Sequence, residues 1–196
     1  MGAQSDTRSR IQDVAIRLFT EQGYEATSLR EIAEALGVTK AALYYHFKSK
    51  EDIIASLIED HTQALDELID WARRQPATPE TRREVIRRYA GKMTGGRHHE
   101  VMQLMQRNQA ALHSMRKPER VRERMAELLD VLTRPEDPPA TRLRRAMALF
   151  TLHAVWFALP DDDLTPRQRM EAALEVAVEL ADAADQGRTS GTASAG

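Results

Sequence analysis

Between Gly37 and Lys50 the chain carries Lys40, Lys48 and Lys50 and no acid, together with Thr39, Tyr44, Tyr45 and His46. Ammonium groups at this density neutralise phosphates, and the hydroxyl and imidazole groups among them can hydrogen-bond to phosphate oxygens or base edges. Ala41 and Ala42 offer no hydrogen bond but can meet a thymine methyl. The rest of the chain does not share this bias. Over 196 residues, 30% are charged and the net charge is −2, which argues against non-specific coating of nucleic acid. A small basic footprint on a balanced protein suits a single docking edge.

Other chemistries find less support. There is no glycine-rich phosphate loop, no Gly-x-Ser-x-Gly elbow and no cysteine, so the common catalytic signatures are missing and no enzyme is expected. The carboxylates fall at helical spacing on solvent faces. His98, His99, His113 and His153 raise the question of a metal, but adjacent histidines diverge on a helix and no H-x-x-x-H pair occurs. No metal and no cofactor is implied. The stretch from Met102 to Met115 mixes Met102, Met105 and Leu112 with Gln103, Gln106, Asn108 and Gln109. Methionine adapts to varied apolar shapes and an amide can orient a polar group, so the stretch fits either a ligand cavity or plain core.

The basic segment needs elements to hold it. Ser28 with Glu31 is a capping-box pair that opens a helix over about 29–36, whose Leu29, Ile32, Ala33 and Leu36 share one face. Gly37 can take the left-handed conformation that ends it. Thr39 caps a second short helix, with Leu43 and Phe47 turned inward, and Ser49 with Asp52 caps a third. Two short helices around a tight glycine turn describe a helix-turn-helix, whose second helix enters the DNA major groove.

TSLREIAEALGVTKAALYYHFKSKEDI resembles the DNA-binding signature of the TetR family of transcriptional regulators, and the similarity reaches back through LFTEQGYEAT. The resemblance covers roughly the first quarter of the chain. It implies base-edge contacts from Thr39, Lys40, Ala41 and Tyr44, and phosphate contacts from Tyr45, His46, Lys50, Ser28 and Arg30. Tyr44 also reads as a half-buried scaffold residue. The resemblance further implies a homodimer on a palindromic double-stranded DNA operator, and a small apolar or amphipathic effector in the body. Met102, Met105, Gln106, Gln109 and Leu112 are the residues expected to line that effector site. The resulting expectation is a ligand-responsive regulator acting as a repressor. The alternative is an architectural or partner-regulated DNA-binding protein without a small-molecule ligand.

The fold expected is all-α: a helix-turn-helix head over 1–52, a larger helical effector-binding and dimerisation body over 53–186, and a flexible tail over 187–196. A helix from Thr7 to Gln22, with Ile11, Val14, Ala15, Leu18 and Phe19 as its stripe, completes the head, and Tyr24 and Ala26 are expected to bury against it. A long helix from Lys50 to about Arg74 forms a strut. Further helices open at Pro79, Pro118, Ala140 and Pro166. The segment LFTLHAVWFAL is apolar all round and is expected to be buried on all sides. Alanines Ala172, Ala173, Ala177, Ala181 and Ala184 let another helix come close, and the last two helices of each subunit are expected to form a four-helix dimer interface. No apolar run is long enough to span a bilayer and no signal peptide is evident, which makes the cytoplasm the expected location.

Overall fold

Short polar side chains decide where many of these helices begin. Glu31 N–H donates to Ser28 Oγ, Ala42 N–H to Thr39 Oγ1, Asp52 N–H to Ser49 Oγ, Thr81 N–H to Thr78 Oγ1 and Gln168 N–H to Thr165 Oγ1. Each satisfies one of the backbone donors that a helix start leaves without an intrahelical partner. The computed structural model describes residues 2–94, 104, 117–159 and 163–191. Among them are eight helices and no strand: α1 (Gly2–Glu21), α2 (Leu29–Leu36), α3 (Lys40–His46), α4 (Lys50–Arg73), α5 (Pro79–Thr94), α6 (Lys117–Leu132), α7 (Pro139–Ala158) and α8 (Pro166–Gly191). The protein is all-α, as its periodicity implies.

The chain divides into two compact units, Met1–Gln63 with Gly96–Val121, and Ala64–Gly95 with Arg122–Gly196. The first buries Ile11, Ala15, Ile16 and Phe19 of α1 against Leu29, Ile32 and Ala33 of α2, Leu43 of α3, Phe47, and Ile53, Ile54, Leu57 and Ile58 of α4. Leu104 is buried in the same cluster. Gln12, itself buried on α1, donates to Ser56 Oγ at 2.9 Å and Asp60 Oδ2 at 2.8 Å, tying α1 to the first turns of α4.

The connection between α1 and α2 differs in one place from the sequence expectation. Tyr24 is buried, its ring edge-on to Phe19 at 5.2 Å, but Ala26 is exposed. Thr27 takes the inward place, its hydroxyl donating to Gly23 O at 2.8 Å, a bond no methyl could make. Gly23, at φ +96°, supplies the backbone conformation for this turn.

In the second unit, α7 and α8 pack along their length over α5, and Leu65, Leu68 and Ile69 of α4 and Leu128 and Leu132 of α6 complete the core. Two arginines are buried with it. Arg145 of α7 pairs with Asp137 and, at 2.8 Å, with Asp185 of α8, which also receives Arg82 of α5 at 2.6 Å. Such charges are tolerated in a core when each guanidinium meets a carboxylate.

Two sequence expectations bear on this unit. Ala173, Ala177, Ala181 and Ala184 are buried within one chain, Ala177 and Ala184 completely, so they bring α8 close to its own neighbours, while Ala172 is exposed. Conversely, the apolar end of α7 is not buried on all sides: Phe150 is 57% exposed and Phe157 68%. Helix α8 also continues to Gly191, into the stretch read from sequence as a tail. A glycine costs a helix only about 1 kcal/mol, too little for Gly187 to end it.

Candidate nucleic-acid interface

The turn between α2 and α3 is built from backbone hydrogen bonds. Gly37 sits in the left-handed region (φ 72°, ψ 29°), its N–H donating to Glu34 O at 3.1 Å while Val38 N–H donates to Ala33 O at 3.0 Å. This paired closure is a Schellman motif, and it needs a residue that takes positive φ without strain at position 37. At the other end of α2 the capping box is complete: Ser28 N–H and Oγ–H both donate to Glu31 Oε2 at 2.7 Å. The Ser28 hydroxyl and amide hold the Glu31 carboxyl below its ordinary pKa.

Helix α3 has one anchored side. Leu43 is fully buried and Phe47, which ends the helix through its N–H to Leu43 O, is nearly so. Their spacing leaves Thr39, Lys40, Ala41 and Ala42 exposed, and Tyr45 is 69% exposed. Tyr44 is half-buried against the core of the unit, with Lys40 Nζ 5.4 Å from its ring centroid. His46 stands edge-on to Tyr45 at 5.3 Å. The outward surface thus offers a hydroxyl, an ammonium, two methyls and a phenol over one short helix.

The lysines are not equivalent. Lys48 Nζ donates to Tyr44 O at 2.7 Å and so closes the C-terminal end of α3. Lys50 Nζ donates to Tyr24 O at 2.6 Å and Glu25 O at 3.3 Å and lies 4.5 Å from the Tyr24 ring centroid. It clamps the α1–α2 connection. Tyr24 in turn donates to Glu51 Oε1 at 2.6 Å, which holds the Glu51 carboxyl below its usual range, and burial together with Glu51 raises the Tyr24 phenol. Lys40, within α3, is exposed and its ammonium lies near the Tyr44 ring. Arg30, also exposed, pairs with Glu34 at 3.2 Å.

The nine residues expected at DNA therefore sit in one unit. Thr39, Lys40, Ala41 and Tyr45 present themselves openly on α3. Ser28 and Arg30 are exposed at the start of α2, while Tyr44, His46 and Lys50 are partly covered. Sequence reasoning missed Arg8, whose guanidinium carbon lies 4.8 Å from the Phe47 ring centroid. No local pattern signals this pairing, because it joins α1 to the end of α3. The expected effector-lining residues Met102, Met105, Gln106, Gln109 and Leu112 lie outside the described residues.

The first part of this chain is similar to known proteins. Residues 11–57 match the family model of bacterial regulatory proteins of the tetR family. The HTH-type transcriptional regulator AcrR of Shigella flexneri is 44% identical over 75 residues, 38% of this chain and 35% of AcrR. The biofilm operon negative transcriptional regulator IcaR of Staphylococcus epidermidis is 42% identical over 53 residues, 27% of this chain and 29% of IcaR. The matched segment spans about a third of these curated relatives' length. A solved complex of SmeT with triclosan shares the fold, with a TM-score of 0.62 at 24% identity over 89% of this chain and 90% of that one.

Proposed function

We propose that this chain, a tetR-family protein by its N-terminal head, is a DNA-binding transcriptional regulator that represses until a small molecule releases it. The observation that carries the reading is the outward face of α3. Thr39, Lys40, Ala41 and Tyr45 lie exposed on a short helix that Leu43 and Phe47 lock to the head. A rigid helix presenting donors and methyls is what major-groove readout requires. Ser28 and Arg30 at the start of α2, with His46 and Lys50, flank it for phosphate contact, and Tyr44 props the helix from below.

Assembly as a homodimer is supported by α7 and α8. Leu143, Met147, Phe150 and Phe157 form an exposed apolar stripe along α7, and Val176 stands exposed on α8. A stripe at these spacings covers one helix face. Two heads joined through it can read a palindrome whose half-sites lie about 34–36 Å apart, one turn of B-DNA.

Sensing is assigned to the body. IcaR is named a negative regulator and SmeT is solved with triclosan, which favours repression and a small apolar or amphipathic effector. Met102, Met105, Gln106, Gln109 and Leu112 are the proposed effector-lining residues. Leu104, from the same stretch, is buried in the cluster that holds the head together, which supports a link from that stretch to α3. A duplex flanking the gene for this chain tests the reading by fluorescence anisotropy. Binding tighter than to random DNA is expected, with Lys40→Ala losing about 1–3 kcal/mol mainly at one operator position. Equal affinity of the unaltered protein for flanking and random duplexes would overturn it.

A further inference from the structure

We propose that Arg8 is a DNA phosphate contact, held ready at the end of α3 by the Phe47 ring; this rests on α3 being the groove-reading helix. Arg8 belongs to α1, outside the helix-turn-helix. Its guanidinium carbon nevertheless lies 4.8 Å from the centroid of Phe47, the residue that ends α3. The ring is fixed, being almost wholly buried in the head's core. Arg8 itself is exposed, and among the described residues no carboxylate pairs with it.

Two properties of the group make this more than a cover for an aromatic ring. A phenyl ring offers a guanidinium no lone pair, so contact with Phe47 leaves the N–H donors of Arg8 available for a phosphate fork. Lys48, the residue after Phe47, has its ammonium committed to Tyr44 O. Reach is also adequate. Seven residues of α3 span about 10 Å at 1.5 Å per residue. The major groove is about 12 Å wide, so the strand bordering it passes within about 6 Å of a helix end seated there. Phe47 immediately follows that end. An arginine already seated on it loses less freedom on binding than a lysine drawn from solution.

The test uses the full chain with Arg8→Gln, which keeps a stem over Phe47 but no charge, and Arg8→Lys, which keeps the charge without the fork. Affinity for the operator and for a random duplex is measured from 50 to 200 mM salt, with thermal unfolding of each free protein alongside. Arg8→Gln is expected to weaken both duplexes alike and to flatten the salt slope by about 0.9. Its deficit then shrinks about 3.5-fold across that fourfold salt range. Arg8→Lys is expected to restore the slope with weaker binding than arginine. An unchanged slope in Arg8→Gln would overturn the proposal, and a fall in its melting temperature beside that result would assign Arg8 to covering Phe47 alone. Absence of operator preference in the unaltered protein is a separate failure, that of α3 as reader.

Discussion

Phe150→Ala is a sharp test of the proposed dimer face. Phe150 is 57% exposed, and fully burying a phenylalanine is worth about 1.5–3 kcal/mol. Covering its exposed part therefore contributes about 0.9–1.7 kcal/mol in each subunit. A two-fold interface presents the residue twice, so the dimer loses about 1.7–3.4 kcal/mol. At 1.4 kcal/mol per decade, the dissociation constant should rise about 15- to 270-fold. Sedimentation equilibrium over a dilution series reads this directly, and the monomer's own stability should fall less than the dimer's because more than half of the residue is exposed within it. Ala177→Glu gives the contrasting outcome: Ala177 is fully buried, so the carboxylate enters the core without a partner and the chain unfolds rather than dissociates. An unchanged dissociation constant for Phe150→Ala, or a folded Ala177→Glu monomer, would refute this division of the two faces.

Two further outcomes follow from the second unit. Arg145→Leu removes the guanidinium from Asp137, which keeps the Arg134 N–H at 2.7 Å, and leaves Asp185 with Arg82, and breaking a buried pair this way should cost about 3–5 kcal/mol in urea unfolding; a midpoint equal to that of the unaltered protein would show the cluster to be dispensable. His153, within 2.8 Å of the Tyr89 hydroxyl, has its pKa pushed below the ordinary 6.5 by burial. A depressed folded pKa means the stabilisation is complete above about 6.5 and is lost as pH falls below it toward the folded value. Stability should therefore decline on acidification from that point, more steeply than in His153→Gln, and parallel curves for the two proteins would exclude the imidazole as the cause.

The head was legible in the sequence because its determinants are local. Ser28 with Glu31, Gly37, Thr39, and Ser49 with Asp52 each act within four residues, and each appears in the structure doing what its spacing implies. Leu43 and Phe47 announced which side of α3 faces inward, and that determines which side is left open for the proposed DNA contact. Lysine roles were less legible. Lys48 and Lys50 carry the same charge as Lys40, but their hydrogen bonds to Tyr44 O and Tyr24 O exist only once the turns have closed.

In the body, local pattern admits two answers. The alanines of α8 and the aromatics of α7 are both apolar surfaces that another helix could cover, and spacing alone does not say whether that helix comes from the same chain. Tertiary structure decides it through Arg145, Asp185 and Arg82, which must meet inside the core and thereby set the rotation of α7 against α8 and α5. With that rotation set, Ala177 and Ala181 turn inward and Phe150 and Phe157 turn out. Composition and periodicity established that these segments are helices; the need to pair buried charges from distant parts of the chain established which of their faces remains open.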